Sequence, residues 1–176
     1  MNYNKLLEIA INASLAGGRE IMKVYSSNFE VEHKQDKSPL TLADKNCHKI
    51  VEDYLSATNI PFLSEEGSHV DYTDRKNWDY FWMVDPLDGT KEFVKRNGEF
   101  TVNIALIHND SPIMGVIYVP VKKDLYFSLD GIGSFKFSNA SERLYSLNDL
   151  ISRSLSLPIF TERECFTIVG SRSHMS

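Results

Sequence analysis

The chain has 176 residues, of which 42% are hydrophobic and 24% charged, and this is enough apolar content for one well-buried domain or for part of a larger protein. Its formal net charge of −5 argues against nucleic acid or an anionic membrane surface as a general partner, because both are bound through an excess of Lys and Arg. The chain shows neither a secretory signal pattern nor an apolar run near the roughly 18 residues of a membrane span, so a cytoplasmic protein is predicted.

The first predicted element is a long helix from Tyr3 to about Tyr25. Apolar and small residues recur there every three or four positions, as on one helical face. Gly17 and Gly18 lie inside this helix, and each costs about 1 kcal/mol relative to Ala. We interpret them as the site of a close crossing with another element, and a kink is the alternative.

A second helix is predicted from Thr41 to Leu55, after a short strand in "NFEVEHK". Thr41 can cap this helix, and Asp44, three residues later, completes a capping-box pattern. The local pattern alone therefore makes Asp44 a cap residue. A functional role for Asp44 needs support from elsewhere in the chain.

The centre of the chain is a succession of predicted strands. "IPFLSEEG" and "YFWMVDPLDG" are apolar runs that each end in two acids, and "FTVNIALIHND", "SPIMGVIYVPV" and "DLYFSLDG" follow as consecutive antiparallel strands. Helices followed by a run of strands predict an α+β layered fold, with two helices packed on a mostly antiparallel sheet. The final "FTIVGSRSHMS" is predicted to begin with a strand.

The cysteines and histidines show no metal-site spacing. Cys47 and Cys165 lie far apart, which predicts ordinary thiols in a reducing compartment rather than a disulfide or a zinc site. The histidines lack H-x-H and H-x-x-x-H pairing and are interpreted as solvated or locally hydrogen-bonded: His33, His48, His69, His108 and His174.

The stretch "DPLDGT", residues 85–90, is the first candidate for a site. Pro86 is predicted to end the strand ladder, because it lacks an N–H donor. The tight turn can aim Asp85 and Asp88 at one point, with the Leu87 carbonyl as a third oxygen ligand. Hard cations such as Mg²⁺ take oxygen ligands of this kind.

The same turn can open a short helix, and the amides of Gly89 and Thr90 would then offer an anion site. Asp, Pro and Gly are also the commonest turn residues, so a plain surface turn is the alternative. Glu65 and Glu66 favour a site, because they end the neighbouring strand in the same way. Two like charges about 4 Å apart repel by about 4 kcal/mol at an effective dielectric near 20, so such a cluster predicts bound counter-charge.

Four motifs, in this order and at these separations, resemble a known family: "SPLTLAD", "FLSEEG", "DPLDGTKEF" and "GEFTVNIALI". They resemble the lithium-sensitive, magnesium-dependent phosphomonoesterases of the inositol monophosphatase superfamily, and the likeness runs from the first helix to Ser176. Lys91 and Glu92 favour its branch of CysQ-type 3′(2′),5′-bisphosphate nucleotidases, since the inositol branch usually has Asn in place of Glu92 and no Lys91.

The resemblance implies a metal site of two or more Mg²⁺ ions. Glu65, Asp85, the carbonyl of Leu87 and Asp88 would be the ligands. Asp85 would bridge two ions, in an arrangement that activates water and neutralises a leaving oxygen.

The resemblance also implies catalytic and substrate-binding residues. Thr90, with Asp44 behind it, would orient and deprotonate the attacking water, and Asp44 can keep its cap role as well. The positions implied to cradle the phosphate are Glu65, Leu87, Asp88, Gly89 and Thr90. Ser171 and His174 resemble positions that contact the nucleotide, although a strand-to-helix turn accounts for them equally well.

The implied substrate is adenosine 3′,5′-bisphosphate or its sulfated relative, hydrolysed to AMP and phosphate in sulfur assimilation. Some bacterial members associate peripherally with the inner membrane. One alternative is a phosphatase of the same superfamily that acts on inositol phosphates or a sugar bisphosphate. The other, from a different class, is a non-catalytic fragment that binds metal or phosphate.

One departure from the family pattern concerns the second half of the molecule. The family carries a further metal-binding aspartate in a Trp-Asp motif of an α/β domain, whereas no acid after residue 120 follows a tryptophan here, and Trp78-Asp79 comes too early. We expect residues 1–160 to form an N-terminal metal- and phosphate-binding domain and residues 161–176 to begin a truncated α/β domain. The 176-residue chain alone is expected to be weakly active or inactive.

Overall fold

The structure is a computed structural model that describes residues 1–27, 31–33, 39–141, 144–159 and Ile168, with the backbone alone for 31–33 and 39–41. The described residues form five helices: α1 (Tyr3–Tyr25), α2 (Leu42–Ser56), α3 (Tyr72–Arg75), α4 (Thr90–Val94) and α5 (Leu147–Arg153). Their strands are β1 (Val31–His33), β2 (Pro39–Thr41), β3 (Phe62–Ser64), β4 (Tyr80–Asp88), β5 (Thr101–His108), β6 (Ser111–Val119), β7 (Asp124–Leu129), β8 (Gly133–Phe137) and β9 (Leu155–Leu157).

A seven-stranded sheet, in the order β3-β4-β5-β6-β7-β8-β9, organises the fold. β3 and β4 run parallel, and each later pair of neighbours is antiparallel. β1 and β2 form a separate antiparallel pair. Helices α1 and α2 pack against each other and against the large sheet. The predicted α+β fold, with two helices on a mostly antiparallel sheet, is confirmed.

Alternation along the strands gives this sheet two different faces. One face packs against α1 and α2, and it includes a buried row of paired residues across five strands: Val84, Ile104, Val116, Phe127 and Phe135. The opposite face, here called the open face, carries Met83 of β4 and Ile117 of β6, which are each 46% exposed. Asp85, two residues beyond Met83, therefore also lies on the open face.

Gly17 marks the crossing of α1 and α2. A Cβ at this position would lie 2.6 Å from Cys47 Sγ and 3.2 Å from Val51 Cγ2, both in α2. A Cβ at Gly18 would lie 2.5 Å from the Tyr118 ring of the sheet. Both glycines therefore lie at close crossings of α1 with other elements, as predicted.

Replacing Gly17 by Ala should therefore destabilise the protein, because overpacking a tight contact costs about 1–3 kcal/mol while the better helix propensity of Ala returns only about 1 kcal/mol. Cys47→Ala removes the sulfur that the new methyl group would meet. We expect the cost of Gly17→Ala to shrink by more than about 1 kcal/mol in the Cys47→Ala background. Urea denaturation of the two single variants and the double variant measures this coupling. An equal cost in both backgrounds would mean that the sulfur contact is not what selects glycine.

Five elements go beyond the sequence predictions: α3, α5, β2, β8 and β9. α5 carries a recognisable start signal, since Ser146 accepts a hydrogen bond from the Asp149 amide at 3.3 Å. β8 begins at Gly133, and glycine is depleted in strands, so the residue composition does not predict a strand there. α2 begins at Leu42, directly after the predicted cap residue Thr41, whose side chain lies outside the described part of the structure.

The remaining general expectations have mixed outcomes. Cys47 is a free, buried thiol, as predicted, whereas Cys165 lies outside the described residues. His108 makes a local hydrogen bond, as expected, with the neighbouring Asn109 at 3.4 Å, and it also stacks on the Tyr80 ring at 4.2 Å. His48 instead hydrogen-bonds to Ser64 of β3 at 2.9 Å, a contact between elements. In the part of the chain that the structure describes, no helix combines the length and the apolar character of a membrane span. The boundary at residue 160 stays a prediction.

Candidate active site

The candidate site begins with an irregularity in β4. This strand runs through Pro86 to Asp88, so the prediction that Pro86 ends the ladder is wrong. Asp85 pairs with Asn103 of β5 and Asp88 pairs with Thr101, so three steps along β4 are matched by two along β5. The extra residue in β4 is a β-bulge, and bulges are among the few sheet positions that accept proline, because the bulged residue need not donate to the ladder.

The bulge places both aspartates on the same face of the sheet. In a regular strand, residues three apart point to opposite faces. Thr101 and Asn103 are two apart and share a face, so their partners Asp88 and Asp85 share that face as well. It is the open face, because the neighbouring Val84 is buried on the side of the helices.

Glu65 brings a third carboxylate to this edge. Ser64, the last residue of β3, pairs with Val84 in the parallel ladder, and the Glu65 amide donates a hydrogen bond to the Val84 carbonyl at 3.2 Å. Glu65 is therefore level with Asp85 on the adjacent strand, and neighbouring strands lie about 4.8 Å apart. We call Glu65, Asp85 and Asp88 the acidic edge. Glu66 follows in a turn and is half-buried.

The turn after Asp85 is closed by two hydrogen bonds. The Leu87 amide donates to Asp85 Oδ1 at 3.2 Å, and Thr90 Oγ1 donates to the Leu87 carbonyl at 3.1 Å. Leu87 is buried and anchors the turn, whereas Asp88 is exposed. The predicted ligand carbonyl and the predicted catalytic hydroxyl are thus in direct contact.

Gly89 joins the bulged strand to α4. Its φ is +87°, in the left-handed region that favours glycine, and a Cβ there would lie 2.8 Å from the Glu99 carbonyl. The Phe93 amide donates to the Gly89 carbonyl at 2.8 Å, which closes the first turn of α4. The amides that precede Phe93 have no acceptor within the helix, as at any helix start, so they are the candidate phosphate donors.

Asp44 lies in the first turn of α2 and is buried, with 2% of its surface exposed. α2 packs on β4. Burial raises the pKa of the nearby Cys47 thiol well above its usual range, and the charges of Asp44, Asp85 and Glu20 raise it further. Because α2 packs on β4, the strand that carries Asp85, the predicted catalytic acid lies on the helix side of the acidic edge.

The structure adds residues that the sequence predictions missed. Asn103 donates from Nδ2 to Asp88 Oδ2 at 3.1 Å, and Thr101 Oγ1 donates to Asn103 Oδ1 at 2.9 Å. On the helix side, His48 Nδ1 and Ser64 Oγ are 2.9 Å apart, which ties α2 to the residue before Glu65. The only local signal for Asn103 is an amide within an otherwise apolar alternating strand.

The side chains of the acidic edge do not form a ready-made metal centre. Within the described residues, no three His, Cys, Asp or Glu side chains come close enough together to hold one ion. Asp85 and Asp88 are instead engaged with Leu87 and Asn103. The backbone nevertheless sets three carboxylates and a carbonyl at adjacent positions, and such oxygen donors suit Mg²⁺ once the Glu65 and Asp85 carboxylates rotate towards Asp88. Ser171 and His174 lie outside the described residues.

Comparisons with known proteins identify the family of the chain. The model of the inositol monophosphatase family matches residues 2–163. The 3′(2′),5′-bisphosphate nucleotidase CysQ of Salmonella typhimurium is 45% identical over 130 residues, 72% of this chain and 52% of that protein. The crystal structure of CysQ from Bacteroides thetaiotaomicron has a TM-score of 0.89 and 45% identity, and the match covers 99% of this chain and 65% of that one. The extragenic suppressor protein suhB of Bartonella henselae is 29% identical with a TM-score of 0.68, over 77% of this chain and 52% of that one. The chain thus spans about half the length of the curated relatives it matches.

Proposed function

The chain belongs to the inositol monophosphatase family, and on that premise we propose that it forms the N-terminal part of a 3′(2′),5′-bisphosphate nucleotidase. The reaction is hydrolysis of the 3′-phosphate of adenosine 3′,5′-bisphosphate to AMP and phosphate, a step related to sulfur assimilation. The observation that carries the proposal is the acidic edge, where a bulge sets Asp85 and Asp88 on one face beside Glu65. The likeness to CysQ enzymes at 45% identity supports the nucleotide as substrate.

The proposed cofactor is Mg²⁺, since enzymes of this family use divalent metal ions. Its ligands would be the carboxylates of Glu65, Asp85 and Asp88 and the carbonyl of Leu87, and Asp85 would serve more than one ion. Bound there, the ions supply the positive charge that activates water and offsets the charge of the leaving oxygen. Without cations, the acidic edge repels a phosphate group.

The chain's own residues bind and orient the reactants. Thr90 Oγ1, held 3.1 Å from the Leu87 carbonyl, would orient the attacking water, with the buried Asp44 behind it. The proton that the water loses would pass to Thr90 Oγ1 as the hydroxyl proton of Thr90 moves to the Asp44 carboxylate. The amides of Gly89 and Thr90 hold the phosphate at the start of α4, where a helix end stabilises negative charge. Ser171 and His174 are proposed to contact the nucleotide.

The test is release of phosphate from adenosine 3′,5′-bisphosphate by the gene product in its full length. We expect hydrolysis in Mg²⁺, and we expect it to be abolished when EDTA removes the metal and restored when Mg²⁺ is added back. Inositol 1-phosphate is the comparison substrate. We expect its hydrolysis to be at least about tenfold slower than that of adenosine 3′,5′-bisphosphate, which corresponds to a difference of about 1.4 kcal/mol in activation free energy. Faster cleavage of inositol 1-phosphate would assign the chain to another branch of the family. Mg²⁺ binding without hydrolysis of either compound would indicate a non-catalytic protein.

A further inference from the structure

We propose that Asn103 is a positioning residue for the metal site, and this inference rests on the proposed function. Asn103 stands between the two aspartates of β4: it is the ladder partner of Asp85 and donates a hydrogen bond to Asp88 Oδ2 at 3.1 Å. This bond fixes the Asp88 carboxylate through one oxygen, and Oδ1 takes no part in it. Asn103 thereby holds an exposed carboxylate in place for a cation.

Thr101 sets the orientation of the Asn103 amide. Its hydroxyl donates to Asn103 Oδ1 at 2.9 Å, so the amide oxygen faces Thr101 and the NH₂ group is turned towards Asp88. Thr101 is itself the ladder partner of Asp88. Thr101, Asn103 and Asp88 are therefore linked to one another by two side-chain hydrogen bonds and by the strand pairing of Thr101 with Asp88. Together these contacts fix the position of the Asp88 carboxylate.

The chemistry of the amide suits this role. A Lys or Arg at the same position would also hold the carboxylate, but its positive charge would compete with a metal ion for the acidic edge. An amide donates a hydrogen bond without adding charge, so the carboxylate keeps its charge for the cation. Asn is also depleted in strands, and Ala105 and Ile107 follow at alternate positions of the same strand, so packing alone does not explain an amide there.

The probe is Mn²⁺, whose free concentration is followed by electron paramagnetic resonance during titration of the full-length protein. We expect Asn103→Ala to raise the Kd for Mn²⁺ at least about tenfold, the lower end of the effect of removing a group that orients a ligand. Asp88→Asn should raise it at least as much. In the Asp88→Asn background, Asn103→Ala should change the Kd by less than about twofold, because the amide then has no carboxylate to position.

Two substitutions of Thr101 serve as a matched pair of controls. They also test the inference if the Asn103→Ala variant does not fold. Thr101→Val removes the hydroxyl and should weaken Mn²⁺ binding, whereas Thr101→Ser keeps the hydroxyl and should bind as the parent does. The inference is overturned, with the proposed function intact, if Asp88→Asn weakens binding while Asn103→Ala and Thr101→Val do not, or if the Asn103 effect persists in the Asp88→Asn background. If Asp88→Asn itself leaves the Kd unchanged, the proposed metal site is wrong as well.

Discussion

Replacing Asp85 by Asn should lower kcat/KM for adenosine 3′,5′-bisphosphate by about 10³-fold in the full-length protein. Asp85 is the central member of the acidic edge, between Glu65, which directly follows β3, and Asn103 on β5. It is proposed to be shared by two cations, so its loss weakens both of them. Removing one preorganised charge-stabilising group costs about 10²–10³-fold in other enzymes, and a shared ligand belongs at the upper end of that range.

Asp79→Asn is the matched control for this experiment. Asp79 is an exposed acid just before β4, about 20 Å along the strand from Asp85 at about 3.3 Å per residue. The two variants remove the same charge, so a general effect of net charge would appear in both. The assignment of Asp85 fails if its variant keeps activity within about tenfold of the parent while thermal unfolding shows an unchanged fold.

Convergence of Glu65 and Asp85 follows from the sequence, whereas the shared face of Asp85 and Asp88 does not. Two apolar runs that each end in acid predict carboxylates at one sheet edge, because neighbouring strands end side by side. Strand alternation, however, sends residues three apart to opposite faces. Pro86 indicates an interruption of the regular ladder, which we predicted to be its end. The register with β5 shows that the interruption is a bulge.

Asp44 shows that a local pattern can describe only part of a residue's environment. Its spacing from Thr41 fits a capping box, and a cap residue is usually close to solvent. Asp44 nevertheless shares the buried face of α2 with Cys47, Val51 and Leu55, at steps of three or four residues. An acid on the apolar face of a helix is a stronger sign of function than a cap spacing, since burying a carboxylate is costly. That helical periodicity was visible in the sequence.

The hydrogen-bond partner of Asp88, in contrast, could not be predicted from the sequence. Asn103 is fifteen residues from Asp88, and its contact exists because the bulge and the β4–β5 register bring the two together. No local rule links an amide in one strand to a carboxylate in another. Side-chain hydrogen bonds across a sheet depend on register, and register depends on the whole hydrophobic pattern of both strands.

Gly89→Ala should lower the free energy of unfolding by about 3 kcal/mol, the largest effect on stability expected from a single methyl group near the site. Two costs add. A non-glycine residue in the left-handed region costs about 1–2 kcal/mol, and Gly89 has a φ of +87°. The new Cβ would also lie 2.8 Å from the Glu99 carbonyl, a backbone atom that cannot rotate away, and relieving such a contact costs a further 1–3 kcal/mol or so.

Gly131 separates these two costs. Its φ is +79°, close to that of Gly89, but nothing lies within 4 Å of a Cβ built there. Gly131→Ala should therefore lose only about 1 kcal/mol, the conformational part, and the difference between the two variants in urea denaturation isolates the contact with the Glu99 carbonyl. Equal losses would show that backbone conformation alone selects glycine at position 89. A larger loss for Gly89→Ala would show that the close approach of residues 99–100 to the turn is itself a constraint on the sequence "DPLDGT".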